Sequence, residues 1–177
     1  MKKNVFISFT EKDRSFMSRL KKAVEKSSML TPVVIEDKKR GALALSKLVS
    51  EGILESNYFV PILTSNSITS QWVNQEIGFA QANIDKIEIV PIVEAAIIDN
   101  LKGFVNNQIQ LKYSYKFSED KKKERANYRK CISGIVTYLE CKVLEESEVK
   151  EKALKRGGGP KATMTTVSWG KPNRNRY

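Results

Sequence analysis

Trp72 and Glu76 stand four residues apart in the stretch SQWVNQEIGFAQ, residues 70 to 81. On a helix that spacing puts an indole and a carboxylate on one face, a turn apart. Val73, Ile77, Ala80 and Ile84 follow the spacing of a core-facing stripe, and Trp72, Glu76 and Phe79 repeat it about 100 degrees to one side. From spacing alone, the second stripe also reads as a widened apolar face with a solvated glutamate. The alternative is a carboxylate held beside an aromatic ring on the rim of a cleft.

The residue inventory narrows the chemistry open to such a pair. The chain contains no histidine, which removes the commonest general base and metal ligand. Serine-histidine and cysteine-histidine machinery is thereby excluded. Cys131 and Cys141 fall in one predicted helix about 15 Å apart, so no disulfide joins them and no zinc site is expected. Catalysis must rest on carboxylates, hydroxyls, lysines or backbone donors.

The elements that position these residues alternate. Asn4 to Phe9 reads as a strand, and Thr10-x-x-Asp13 has the form of a helix-starting cap. Phe16, Leu20, Ala23 and Val24 mark the helix that follows, through Ser27. Pro32 to Glu36 is a second strand, Asp37 to Gly41 (DKKRG) a polar loop, and Leu45, Leu48, Val49, Ile53 and Leu54 a second helical stripe. Asn57 to Leu63 is nearly all apolar, as suits a central parallel strand, although Pro61 costs a ladder hydrogen bond. Glu88 to Val93 is a fourth strand and Ile109 to Lys112 a weaker fifth. From Ser118 a charged helix runs as far as Arg156, with Tyr128, Ile132, Ile135, Leu139 and Val143 as its apolar stripe. The alternation predicts an α/β, flavodoxin-like, three-layer fold around a five-stranded parallel sheet of order 2-1-3-4-5. Ligands bind such sheets beyond the carboxyl ends of the strands, which directs attention to Thr10 to Arg14, Asp37 to Gly41 and Thr64 to Ser70.

The formal charge of +11 is uneven. Residues 150 to 177 hold eight basic residues against Glu151 alone, and the rest of the chain carries only +4. The predicted organisation is a domain over 1–145, a helix extension over 146–156, and a basic tail over 157–177 opened by the helix-breaking Gly157-Gly158-Gly159-Pro160. The tail reads either as a solvated extension or as a docking strand over Thr163 to Trp169. Nucleic-acid binding is favoured by charge alone, without a motif or aromatic platform, and is not expected. No apolar run reaches a signal-peptide core or a membrane span, so a cytoplasmic protein with no membrane partner is expected.

Read together, the segments resemble the TIR (Toll/interleukin-1 receptor) domain family. The resemblance rests on VFISF with Asp13 just beyond, the DKKRG loop, and SEGILESNYFVPILTSNSITSQWVNQE, in that order and spacing, from Lys3 to about Val93. The final helix would complete that fold to roughly Tyr138. Many members are NAD+ glycohydrolases that depend on the glutamate of a W-x-x-x-E pattern, which here is Glu76. The resemblance implies that Trp72 lies beside the substrate, that Ser8 and Phe9 border the nicotinamide, and that Arg14 or Lys38, Lys39 and Arg40 meet the pyrophosphate. From the residues alone, Ser8 and Phe9 read as strand packing, and DKKRG reads equally as a solvated loop.

The implied reaction uses NAD+ as substrate and needs no cofactor. Nicotinamide leaves as a neutral molecule, and a carboxylate can offset the oxocarbenium-like charge left on the ribose. The resemblance further implies self-association through the loop after the second strand. It also suggests an ADP-ribose or cyclic ADP-ribose-type product that reaches an effector, as in Thoeris-type antiphage defence. Two rivals remain: a catalytically silent TIR scaffold that recruits partners, and a nucleoside deoxyribosyltransferase-like enzyme with the same layered fold.

Overall fold

The computed structural model describes residues 1–35, 42–103, 113–115 and 120–155. In chain order the elements are β1 (Lys3–Ser8), α1 (Arg14–Glu25), β2 (Leu30–Val33), α2 (Ala42–Leu54), β3 (Tyr58–Leu63), α3 (Gln71–Gln81), β4 (Glu88–Ile89), β5 (Ile92–Glu94), β6 (Tyr113–Tyr115) and α4 (Lys121–Lys155). A 3-10 turn, Glu11–Asp13, leads into α1, and another, Ala95–Asn100, follows β5. Residues Met1–Val143 form one unit and Leu144–Tyr177 a second.

All strand pairs are parallel, in the order β2-β1-β3-β5-β6, with β4 also paired to β3. This is the expected flavodoxin-like order, with its fourth strand broken in two. The break falls at Val90-Pro91, where proline supplies no amide to the ladder. Pairing survives it because the Val90 amide still donates to the Phe59 carbonyl at 2.9 Å.

Alternation along β1 separates two cores. Val5 and Ile7 face Phe16, Leu20 and Val24 of α1 and Ile132, Ile135 and Leu139 of α4. Phe6 faces the other way, with Phe59, Val49 and Ile53 of α2, and Val73, Ile77 and Ala80 of α3. Helices therefore cover both faces, and every residue of β3 is buried, as its unbroken apolar run predicts.

Several boundaries differ from the sequence reading. β2 begins at Leu30 rather than Pro32, at the edge of the sheet, where a proline removes no needed donor. α3 ends at Gln81, so Ile84 lies past the helix and is exposed, as is Leu54 at the end of α2. The cap predicted at Thr10 is absent, because the Thr10 side chain bonds no backbone amide there. The fifth strand occupies Tyr113–Tyr115. The predicted strand at 109–112, the DKKRG loop and the basic tail lie outside the described residues. Both cysteines are free, and burial pushes the Cys131 thiol up to about 11. Among the described residues no helix is long and apolar enough to cross a membrane.

Gly52 lets α2 lie close on the sheet. A Cβ built there would sit 3.0 Å from Phe6 Cε2 and 3.6 Å from Val33 Cγ1. The Phe6 ring has little room to yield because it stacks on Phe59, with centroids 5.8 Å apart. Gly52→Val is expected to destabilise the domain by about 2 kcal/mol through overpacking, seen as a lower urea midpoint at unchanged slope.

Candidate functional site

β1 and α3 bring the predicted site together. β1 ends at Ser8, beside Pro61 of β3 in register, so Ser8 and Phe9 lie at the carboxyl edge of the sheet. α3 starts at the same edge. Ser70 caps it by accepting a hydrogen bond from the Val73 amide at 3.4 Å, which places Trp72 in its first turn and Glu76 in its second.

A cavity of about 310 Å³ opens between them, lined by Ser8, Phe9, Glu11, Arg14, Trp72 and Glu76, with Phe6, Ile7, Ile35, Leu45 and Val49 as apolar walls. Every sequence-predicted site residue lines it except Lys38, Lys39 and Arg40, which lie outside the described residues.

Glu76 is 7% exposed, which excludes the solvated reading of its stripe. Burial raises its pKa to about 7, a rise that the Ser8 hydroxyl and the Trp72 indole beside it partly offset. Ser8 Oγ is buried yet has no hydrogen-bond partner of ordinary geometry among the described residues. Such an orphan costs about 1–3 kcal/mol, so a polar ligand atom in the cavity would be stabilised there. Trp72 is 37% exposed. Together with Glu76 and Val49, it also borders a second, mostly apolar cavity of about 180 Å³ between α2 and α3.

Arg14 already holds an anion. Its Nε and Nη2 donate to Glu11 Oε1 and Oε2 at 2.6 and 2.8 Å, and this pairing holds the Glu11 carboxyl below the usual range. The pair is solvent-exposed, and the same fork of guanidinium donors matches the oxygens of a phosphate.

Asp13 does not cap α1 in the way its spacing suggests. It is buried and accepts from Thr10 Oγ1 at 2.7 Å, Thr64 Oγ1 at 2.9 Å and Asn66 Nδ2 at 3.1 Å. One carboxylate thus ties the turn after β1 to the turn after β3, the two turns that frame the site. Glu94, also buried, accepts from the Ser65 amide at 2.8 Å and anchors the second turn to β5.

Sequence reasoning missed Glu11, Ile35, Leu45 and Val49 as parts of the cavity. Leu45 and Val49 were legible only as a core stripe, and the cavity is where the start of that stripe runs past the end of β1. Among the described residues no cluster of three carboxylates or thiols is placed to hold a metal ion.

A doubly wound parallel sheet with a buried carboxylate at the carboxyl edge of its central strands defines an α/β cleft protein. The TIR domain family model matches residues 5–132, and the chain belongs to that family. No curated protein matches it. Among solved structures, it is similar to the Clostridium botulinum CMP N-glycosidase BcmB at 17% identity and a TM-score of 0.54, over 77% of this chain and 99% of that one. It also resembles the TIR domains of the activated Roq1 resistosome directly recognizing the pathogen effector XopQ, at 19% identity and a TM-score of 0.47, over 76% of this chain and 84% of that one. At these identities the likeness is one of fold, and it rests on the first.

Proposed function

We propose that this chain cleaves the nicotinamide–ribose bond of NAD+, with Glu76 as its essential carboxylate. The observation that carries the reading is the buried Glu76, with pKa raised to about 7, lining a cavity at the sheet edge together with Ser8 and Trp72. A purely adhesive module gains nothing from a desolvated carboxylate, which costs stability.

In this reading the bond from ribose C1′ to the pyridinium nitrogen breaks and its electron pair passes to the ring. Nicotinamide departs neutral. The ionised Glu76 offsets the positive charge developing on the ribose. A pKa near 7 also suits the same carboxylate to accept a proton from the water whose oxygen then bonds C1′. ADP-ribose results. Attack by an adenine nitrogen instead would give a cyclic ADP-ribose-type product, with Trp72 offering a stacking face for a flat base. Ser8 would accept or donate to a ribose hydroxyl, Phe9 would border the nicotinamide, and Arg14 would exchange Glu11 for the pyrophosphate. Lys39 belongs to the same proposal as a second phosphate contact.

Self-association of TIR domains, a cytoplasmic setting and a signal read by an effector in antiphage defence are part of this proposal. The likeness to BcmB supports only its outline, since a protein of this fold bears the name of an N-glycosidase.

The experiment gives purified protein NAD+ or CMP at high protein concentration and follows the products by mass spectrometry. Nicotinamide with ADP-ribose or its cyclic form is expected. Cytosine released from CMP, with NAD+ left intact, would replace the dinucleotide by a nucleoside monophosphate as substrate. Turnover of neither would leave the adhesive reading.

A further inference from the structure

A second feature lies on the opposite face of the sheet from α2 and α3. Between α1 and α4 runs an open groove of about 650 Å³, distinct from the cavity at Glu76. Arg19 and Lys26 stand on one wall, Arg125 and Arg129 on the other, and no acidic side chain lines it. None of the four cations has a carboxylate partner among the described residues. Ala23, Ile132 and Val136 form an apolar floor, with the Ser133 and Thr137 hydroxyls beside it.

The spacing along each wall is helical. Arg125 and Arg129 are one turn apart, about 6 Å along α4, and Arg19 and Lys26 two turns, about 10 Å along α1. Carboxylates at i and i+4 of a third helix repeat the first interval, while its apolar stripe can rest on the aliphatic floor.

Tyr128 distinguishes between polyanions. Its ring is the aromatic surface of the groove, but Phe16 packs edge-on to it at 5.0 Å and the Arg19 guanidinium stands 5.7 Å from its centroid. A ring so engaged offers little to a stacking base, the contact on which single-stranded nucleic acid depends.

We propose that the groove between α1 and α4 docks an acidic amphipathic helix of a partner protein, with its carboxylates on Arg19, Lys26, Arg125 and Arg129 and its apolar face on Ala23, Ile132 and Val136. The proposal is independent of what happens at Glu76.

The test is fluorescence anisotropy on the full chain with a labelled helical peptide whose leucines recur every three or four residues between glutamates. A scrambled peptide of the same composition and a thymidine oligonucleotide serve as competing probes. The patterned peptide is expected to bind at least about ten-fold more tightly than the scrambled one, and to weaken as salt is raised. Arg19→Glu with Arg129→Glu is expected to weaken it about ten-fold or more, and so is Ser133→Trp, which fills the floor at unchanged helical circular dichroism. Equal binding of both peptides, or tighter binding of the oligonucleotide, would overturn the proposal. So would indifference to both variants. If the chain pairs with itself and Arg19→Glu with Arg129→Glu dissolves the pair, the occupant is a second copy and the partner helix is excluded.

Discussion

Glu76→Gln is expected to lower nicotinamide release from NAD+ about a thousand-fold while the variant stays folded, since removing one preorganised electrostatic group at developing charge costs two to three orders of magnitude. Glutamine keeps the shape and the hydrogen-bonding capacity toward Ser8 and Trp72 but carries no charge. Dinucleotide binding should change far less than turnover, because the guanidinium of Arg14, the proposed phosphate contact, and the face of Trp72 are untouched. Single-turnover kinetics with quantified nicotinamide make the measurement, and a variant as fast as the wild type would remove Glu76 from the chemistry.

The same substitution should stabilise the protein. The carboxyl titrates at about 7 when folded against an ordinary 4.5, with desolvation as the cause. Between those values the folded state holds a proton that the unfolded state has lost. The glutamate therefore costs nothing at pH below about 4.5, and its penalty grows until the folded carboxyl has ionised above about 7, where it amounts to about 3 kcal/mol. At about pH 8, Glu76→Gln is expected to melt about 6 to 10 °C above the wild type, with the two curves converging near pH 4 to 5. Equal melting temperatures at both pH values would show that the carboxylate is not desolvated.

Activity should follow the same titration. For NAD+, kcat/KM is expected to rise about ten-fold per pH unit below about 7 and then level off, because the ionised carboxylate is the working form and the leaving group needs no proton. The midpoint of kcat should fall lower, since the bound cationic ring favours the charged carboxylate. A neutral base, as in CMP, requires protonation to leave, so activity on it through Glu76 as the acid would run the other way. The direction of the profile thus separates the two substrates.

Much of this molecule was legible in the linear chain. The alternation of short apolar runs with helical stripes is enough for a parallel sheet, because parallel strands need helical crossovers and those crossovers are right-handed. The unbroken NYFVPIL run marked the central strand for the same reason. The W-x-x-x-E spacing placed an indole and a carboxylate on one helix face. Of the segments that follow strands, Thr10 to Arg14 contributes Glu11 and Arg14 to the lining of the cavity.

Periodicity tells which side of a helix a residue occupies, and nothing about what comes to meet it. Whether Glu76 was solvated or desolvated depended on Ser8 and Val49, which are remote in sequence and close over it only when β1, α2 and α3 pack. The same holds for Asp13, whose local spacing with Thr10 suggested a cap but whose carboxylate, besides accepting from the Thr10 hydroxyl, is bonded by Thr64 and Asn66 some fifty residues away. The cations facing one another across α1 and α4 are likewise absent from any single stretch. Sequence determined the elements and the faces. Tertiary packing decided the solvation of the charges, because a group loses its water only to atoms brought from elsewhere in the chain.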